Sequence, residues 1–342
     1  MKNKELRAFI GLQIFADYTP QTTGDPGMSA EMKTFYNKNL IKMARPNLVH
    51  DQFGQKKPIP KNNGKEVEFR KYDSLPKADT PLTEGVTPKG QKMNVTTISA
   101  VVKQYGDFIP LSDMLIMTTL DNNIIEATDL LGDQSGRTLD GITRDVLAGG
   151  TNVMYAGGKE SRAELAEGDM LTVDMCFRVA ALLKGMNAKK INGSYVGIIH
   201  PYVAYDIMSS PEWIDVQKYS NATSIFEGEI GKIAGIRFVE STEAKIWKSE
   251  EDNCPTHQVA GENVPYAVFS TLFLGADAYG VTEIEGGGLQ TIIKQLGSGD
   301  DPLNQRATVG WKATKTAERL VEQYMVRVES RSDVYSEIVE AN

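Results

Sequence analysis

The pattern of apolar and polar positions predicts mixed α/β structure that follows a loose beginning. Residues 16–28 are polar and rich in Gly, Pro and Thr, as in an extended arm or linker. An apolar stripe from Met32 to Met43 then predicts a helix that Ser29 caps and that Pro46 stops. Such a helix has little neighbouring chain to pack on, so we expect it to dock elsewhere.

Two alternating segments, Lys65 to Tyr72 and Val95 to Val102, predict the strands of a hairpin. The segment between them contains three prolines and two glycines and forms a loop of roughly twenty residues, whereas usual connections have about 4–6. Such a loop is either disordered or held by something else, and a neighbouring subunit is the economical candidate. Both possibilities stay open at this point.

A long helix is predicted from Asn122 to about Ala148, ~40 Å in length. Pro110 is expected to end an extended piece before it, and Ser112 to cap a short helix that runs to Leu120. The predicted buried face of the long helix consists of Ile124, Leu131, Ile142 and Val146, with Thr128, Ser135 and Thr138.

The long helix also contains three internal glycines, Gly132, Gly136 and Gly141. Each costs about 1 kcal/mol relative to Ala. This cost indicates either a close packing partner or a bend. The Gly149–Gly150 pair is expected to end the helix.

Residues 169–299 alternate helical and strand patterns, which predicts a mixed α/β lobe. Its predicted elements are a helix capped by Thr172, strands at Tyr195–Ile199, Ile236–Val239 and Tyr266–Leu274, and a helix in 201–213. Gln305 to Glu329 is interpreted as paired strands that return to the long helix. The acidic tail 332–342 is expected to be frayed.

Composition limits the possible functions. With 342 residues the chain is expected to form two or more lobes, and its net charge of −8 argues against a dedicated nucleic-acid binder. No apolar run approaches the ~20 residues that span a bilayer, and no signal peptide is recognised. We therefore expect a cytosolic protein without a membrane partner, whose acidity is compatible with a container.

No catalytic, cofactor-binding or metal-binding residue is predicted. His50, His200 and His257 each stand alone in the sequence, and a structural or surface role is expected for His200. Cys176 and Cys254 are interpreted as free thiols of a reducing compartment. The run 286–288 is interpreted as a flexible glycine loop, not a phosphate loop, because no Lys-Ser/Thr follows it. We accordingly expect no enzyme and no cofactor.

Over nearly its whole length the sequence resembles the major capsid proteins of tailed bacteriophages with the Hong Kong 97-type fold, closest to a subgroup of phages and prophages of Gram-positive bacteria. The order and spacing of several blocks carry this resemblance, although each block alone is weak. They are LQIFAD (12–17), SAEMKTFYNKNLI (29–41), PNLVHDQFGQKKPIPKN (46–62), TPLTEGVTPKGQKMNVTTI (80–98), YGDFIPLSD (105–113), TLDGITRDVLAGGTNVMYA (138–156), IIHPYVAYDIMSSPEW (198–213), GEIGKIAGIRFVES (228–241) and DPLNQRATVGWK (301–312).

The resemblance implies an α+β capsid fold with five segments. Residues 1–50 would form the N-terminal arm and helix, and 51–104 the extended β-hairpin loop, which would lie over an adjacent subunit. Residues 105–168 would form the peripheral domain with the long spine helix. The axial domain would span 169–299, and 300–342 would return to the peripheral domain and end in a tail.

The function implied is a structural subunit that assembles into hexamers and pentamers of an icosahedral head around double-stranded DNA. The implied partners are copies of the chain, scaffolding and portal proteins, a decoration protein and, non-specifically, packaged DNA. A separate scaffolding protein is expected because no long scaffolding segment precedes the arm. The implied place is the virion, assembled in the host cytoplasm.

Two alternative hypotheses about the function predict different observations. A nanocompartment shell of the same fold would co-purify with a cargo enzyme, and a soluble α/β enzyme would be a small discrete particle with a convergent polar site. For the hairpin and the N-terminal arm we hypothesise mobility in the free subunit and order in the shell. Basic residues on or near it are candidates for intersubunit ion pairs or, equally, for a solvated loop: Arg70, Lys71, Lys77, Lys89 and Lys92.

Overall fold

The computed structural model describes residues 40, 42–44, 48–72, 75–87, 90–119, 123–214, 231–259, 262–297, 301–332 and 334–342. The predicted arm and most of the predicted first helix lie outside the described residues. Of that helix, Leu40 and residues 42–44 are described and helical, and Leu40 is fully buried.

Four α-helices and sixteen strands lie entirely within the described residues and have the following bounds. The helices are α1 (Asp113–Thr118), α2 (Asn123–Ala148), α3 (Val173–Gly185) and α4 (Pro201–Ser209). The strands are β1 (Gln55–Lys56), β2 (Glu66–Tyr72), β3 (Val95–Val101), β4 (Lys103–Ser112), β5 (Val153–Tyr155), β6 (Tyr195–Ile199), β7 (Lys232–Ile233), β8 (Ile236–Glu240), β9 (Ile246–Trp247), β10 (Thr256–Val259), β11 (Glu262–Pro265), β12 (Val268–Leu274), β13 (Tyr279–Thr282), β14 (Gln290–Lys294), β15 (Arg306–Arg319) and β16 (Met325–Ser330).

The local signals in the sequence placed the four helices and the longer strands, whereas the short strands β1, β5, β7, β9, β10, β11, β13 and β14 were not predicted. Ser112 caps α1 by accepting a hydrogen bond from the Leu115 N–H, and Thr172 caps α3 through the Met175 N–H, both at 3.3 Å. The predicted hairpin is confirmed, because β2 and β3 pair antiparallel from Glu66–Val101 to Tyr72–Val95. The long helix is confirmed as α2.

One five-stranded sheet is centred on β15, which pairs antiparallel with β4 on one side and with β13 and β14 on the other. Small and apolar residues alternate with polar ones along β15, so one face of the strand is buried. That face packs on α2 and forms a core with Leu131 and Leu139. The core includes Ala307, Val309, Trp311 and Ala313 from β15.

The strand β4 runs through Pro110, so the prediction that this proline ends the extended segment is wrong. In the described part of the chain β4 pairs with β15 alone. A strand with one open edge tolerates a residue that lacks an N–H donor.

A seven-stranded sheet has the order β5-β16-β12-β6-β8-β7, with β9 paired to β12. Its central strands β6 and β12 are buried along their whole length, as continuous apolar runs predict. The helices α3 and α4 supply side chains to the core on one face, including Leu183 and Ile207. A third core, with Leu147 of α2 and Tyr279 of β13, joins this sheet to the first one.

The interpretation of residues 305–329 as paired strands is wrong. The strand β15 returns to α2 as expected, but β16 pairs with β12 and β5 in the other sheet. Likewise β13 and β14 belong to the sheet over α2, although both precede residue 299. Strands of the two sheets therefore alternate along the chain, and the segment boundary expected at residues 299/300 does not coincide with the division between the sheets.

The prediction of the buried face of α2 is partly wrong. Thr128, Leu131 and Ser135 are buried as expected, but Thr138 is exposed and the helix also buries Leu139 and Leu147. The helix contacts β15 along one side and the third core at its C-terminal end, and its buried positions recur every four residues from Ala127 to Ala148, so the stripe winds slowly around the helix. The close approach predicted at an internal glycine is confirmed at Gly132, which the Leu40 backbone contacts.

The acidic tail is docked and not frayed. The Tyr335 ring stacks on Tyr202 of α4 with 4.0 Å between centroids, and the Ser336 carbonyl accepts a hydrogen bond from the Ala267 N–H. At the chain end, the Asn342 side chain bonds to the Ile246 N–H and the Ala244 carbonyl. Within the described residues no helix is long and apolar enough to cross a membrane.

Candidate assembly surfaces

The hairpin formed by β2 and β3 is anchored at its base and exposed beyond it. Phe69 and Ala100 are buried, and a Cβ added at Gly280 would meet the Phe69 ring at 2.6 Å. The Lys57 ammonium donates to the Glu68 carbonyl at 2.5 Å. From residue 72 to residue 97, every described residue is exposed.

The exposed part of the hairpin carries large apolar side chains with nothing packed over them among the described residues. Leu82 is 78% exposed at the tip. The others are Tyr72, Leu75, Val86, Met93 and Val95. Exposed large apolar side chains that are grouped on one element are typical of an interaction surface, so the hairpin is a candidate assembly surface.

Charged residues on the hairpin are solvated in the described chain. Arg70 lies 3.7 Å from Glu68, and both side chains are more than half exposed, so this pair contributes little stability. Lys77 and Lys92 have no carboxylate within 4.0 Å among the described residues, while Lys89 lies outside them. The question of intersubunit ion pairs therefore stays open.

A second exposed apolar surface lies at the end of the five-stranded sheet, where α1 follows β4. The Asp113 N–H donates to the Gln305 carbonyl at 3.0 Å, which ties α1 to the start of β15. No residue of α1 is buried, and Met117 and Leu303 are each 74% exposed. The other large apolar side chains exposed here are Phe108, Met114 and Leu115.

The segment that leads into the hairpin is held by buried polar contacts that we call the junction network: His50, Asp51, Asp140, Thr143, Tyr279 and Lys315. The His50 ring Nδ1 lies 2.6 Å from Asp140 Oδ2, and the His50 N–H donates to Asp140 Oδ1 at 2.8 Å. Both side chains are fully buried. The Tyr279 hydroxyl donates to the His50 carbonyl.

Asp51 makes the second half of the junction network. It accepts hydrogen bonds from the Lys315 ammonium and from the Thr143 hydroxyl, and Lys315 also donates to the Leu139 carbonyl at 2.6 Å. Burial lowers the pKa of Lys315, although the neighbouring Asp51 opposes this effect. Burial raises the pKa of the Tyr279 hydroxyl, so it stays protonated and able to donate.

The sequence interpretation missed this network, since it placed each histidine alone. His50 and Asp140 are 90 positions apart, so no spacing motif links them. One signal was available in β15, where Lys315 occupies an inward position between Ala313 and Ala317. A lysine at a core position requires a buried partner.

A second buried cluster of charged residues, formed by Glu329, Arg162 and Arg327, was not predicted from the sequence. Glu329 of β16 is fully buried and forms a two-point pair with Arg162, at 2.6 and 2.9 Å. Arg327 lies 2.9 Å from the same carboxylate, and Arg162 stacks on Trp247. Burial tends to lower the Arg162 pKa, but the bond to Glu329 raises it overall. The cluster ties residues 162–164 to the seven-stranded sheet.

The other two histidines and the two cysteines lie in structural environments. His200 caps α4 by accepting from the Tyr202 N–H, and burial lowers its pKa to about 4. His257 stacks on Tyr266. Cys176 and Cys254 are free, as predicted, and both are buried; burial raises the Cys176 pKa to about 12.

The glycine run 286–288 is an anchored turn, and the expectation of a flexible loop is wrong. The Gly287 carbonyl accepts hydrogen bonds from the N–H and hydroxyl of Thr314. Among the described residues no three His, Cys, Asp or Glu side chains cluster in a way that could hold a metal ion.

Comparison with solved structures identifies the fold. The capsid of Ralstonia phage GP4 superposes with a TM-score of 0.61 at 17% identity, covering 82% of this chain and 87% of that chain. The capsid of the cyanophage P-SCSP1u gives a TM-score of 0.60 at 15% identity, with 80% and 85% covered. The head of Helicobacter pylori bacteriophage KHP40 gives 0.59 at 10%, with 80% and 88% covered. The predicted Hong Kong 97-type fold is therefore confirmed.

Sequence comparison assigns the family. No curated protein sequence matches the chain. The family model described as phage capsid protein matches residues 111–297, which is more than half of the chain. These matches do not favour the alternative of a nanocompartment shell. The chain belongs to the phage capsid protein family and is a major capsid protein.

Proposed function

We propose that copies of this chain assemble into the hexamers and pentamers of an icosahedral phage head that encloses double-stranded DNA. The observation that carries this proposal is the hairpin, whose described residues from 72 to 97 are all exposed although several are large and apolar. The apolar tip finds its cover on a neighbouring copy. Contacts of this kind close into rings when the rotation between subunits closes.

The interleaved sheets support a revised assignment of the segments. The peripheral domain is built from α2 and the sheet around β15, and the axial domain from the seven-stranded sheet with α3 and α4. Residues 66–101 form the extended hairpin loop. In this assignment β13 and β14 are peripheral and β16 is axial, and the N-terminal arm keeps its expected place before residue 50.

The other proposed partners and the place of assembly follow from the proposal that the chain forms a phage head. Scaffolding, portal and decoration proteins would contact the assembled lattice, and the inner surface would contact DNA without sequence preference, consistent with a chain of net charge −8. Assembly takes place in the host cytoplasm, and the protein acts as a structural subunit without a catalytic role. The Gram-positive subgroup stays a prediction.

Replacing Leu82 with Asp tests the hairpin contact. Leu82 is 78% exposed among the described residues, so L82D should leave folding unchanged while it removes an apolar contact worth ~1.5–3 kcal/mol in the shell. That loss predicts a drop of about tenfold or more in the association constant per contact. The matched control is T83D, which adds the same charge at the adjacent exposed position.

The assay is negative-stain microscopy and sedimentation of particles formed by the full chain, alone and with a scaffolding protein. The wild type and T83D should form shells, and L82D should stay as folded subunits. Equal shell yields for L82D and wild type would contradict the hairpin contact. A wild type that forms no closed particle with either preparation would contradict the proposed function.

A further inference from the structure

The junction network lies where the chain passes from its N-terminal part into the hairpin, and stability alone does not explain it. Burying charged and polar groups costs desolvation free energy, and well-packed apolar residues of similar volume often serve the fold as well. Buried polar networks instead select one geometry, because each donor must meet its acceptor. The network therefore has a use in fixing geometry.

The contacts fix residues 50 and 51 from three directions. Asp140 on α2 holds His50 at two points, through the backbone N–H and the ring Nδ1, which fixes both the position and the rotation of that residue. Tyr279 on β13 holds the His50 carbonyl. Lys315 on β15 holds Asp51.

The fixed residues are followed directly by segments that carry the hairpin. Residues 55 and 56 form β1, which pairs parallel with β13, and Ile59 bridges to Ile284. The N–H groups of Lys57 and Ile59 donate to carbonyls of Val281 and Glu283. The strand β2 begins at Glu66, so the network sets the path of the chain shortly before the hairpin leaves the sheet.

We infer that His50 and Asp140 are positioning residues for shell assembly. Their two-point contact sets the direction in which the hairpin leaves the subunit, and that direction sets the angle at which neighbouring copies meet. The inference rests on the proposed function, because it assumes that the hairpin contacts a neighbour. Loss of the contact should leave a folded subunit with a hairpin that points in a range of directions.

Asp140 offers a loss variant and a conservative one. In D140A the His50 N–H and ring both lose their partner. In D140N the amide oxygen accepts from the N–H, and the amide nitrogen donates to Nδ1 if the ring carries its proton on Nε2. Nε2 is buried without a hydrogen-bond partner among the described residues, so this tautomer disturbs no other contact there. L183A is the control, because it damages a fully buried core site of α3, which packs against the seven-stranded sheet.

The first measurement is the direction of the hairpin in the unassembled subunit. Spin labels at V95C and L130C report the distance between the hairpin and α2, since both positions are exposed and the native cysteines are buried. The distance distribution should broaden in D140A and stay narrow in D140N and L183A. Hydrogen exchange at Lys57 and Ile59 should accelerate at least about tenfold in D140A alone, as expected when local opening becomes easier.

The second measurement is the shape of the assembled particles by electron microscopy. D140A should give open sheets or shells of mixed size, D140N uniform closed shells, and L183A fewer shells of normal size. Closed shells of normal size from D140A, or the same defect in L183A as in D140A, would overturn the inference. Absence of shells from the wild type would instead count against the proposed function, and the spin-label result would still decide whether the network sets the hairpin direction.

Discussion

The same substitution at two glycines of α2 should change stability in opposite directions. At Gly132 an added Cβ would lie 2.9 Å from the Met43 Cβ and 3.0 Å from the Leu40 carbonyl oxygen. At Gly141 the nearest heavy atom would be a guanidinium nitrogen of Arg144 at 3.9 Å. The first site is closed by backbone, and the second is open.

The magnitudes follow from two opposing effects. Replacing Gly by Ala inside a helix stabilises it by about 1 kcal/mol, because Ala loses less backbone entropy on folding. Overpacking a tight contact costs about 1–3 kcal/mol. We therefore expect G141A to raise the free energy of unfolding by ~0.5–1 kcal/mol and G132A to lower it by ~1 kcal/mol, a difference of up to ~2 kcal/mol between the variants.

Urea denaturation of the unassembled subunit, followed by far-ultraviolet circular dichroism, measures this difference. The slope of free energy against urea should be unchanged, so that a shift in the midpoint reports stability. Stabilisation by G132A would refute the close approach of residues 40–44 to α2 in solution. Destabilisation by G141A would show that the helix has a neighbour at that point.

Three further changes test the buried polar groups and the tail. The His200 pKa of about 4 lies below the ordinary value of 6.5, so the folded state binds fewer protons than the unfolded state between these pH values. The free energy of unfolding should therefore fall by ~2–3 kcal/mol as the pH drops from 6.5 to 4. H200N keeps a side chain that can cap α4, and it should make the free energy of unfolding less dependent on pH in denaturation experiments. E329Q should lower the free energy of unfolding by ~3–5 kcal/mol because it leaves Arg162 without its buried counter-charge, and an unchanged urea midpoint would contradict the pairing. Y335A should release the tail from Tyr202, which proteolysis detects as faster cleavage after residue 330 relative to I338A, a change at an exposed apolar side chain of the same tail.

Local signals explain why the sequence predicted the helices and the longer strands within a few residues. The caps at Ser112 and Thr172 and the alternation in the hairpin depend on side chains next to one another, so distant parts of the chain do not alter them. The break predicted at Pro110 failed for a tertiary reason, since an open sheet edge accommodates proline.

Features that depend on distant partners could not be predicted in this way. The pairing of β16 with β12, and not with β15, depends on which sheet edge is available after the turn at 322–324. The docking of the tail depends on the stacking of Tyr335 on Tyr202, two residues that are 133 positions apart in the sequence. Resemblance to capsid proteins supplied the fold, but not these particular contacts.

The link between the two sheets is itself built from polar contacts at the end of α2. The Glu322 carboxylate accepts from the N–H and hydroxyl of Thr151, at 3.0 and 2.7 Å, and pairs with Arg319 at 3.3 Å. Arg319 also donates to the Val146 carbonyl in the last turn of α2, where a cation complements the helix dipole. The chain thus leaves β15, is fastened to the helix end, and enters β16. The fastening sits where one sheet passes into the other, so it holds the C-terminal end of the long helix to both sheets.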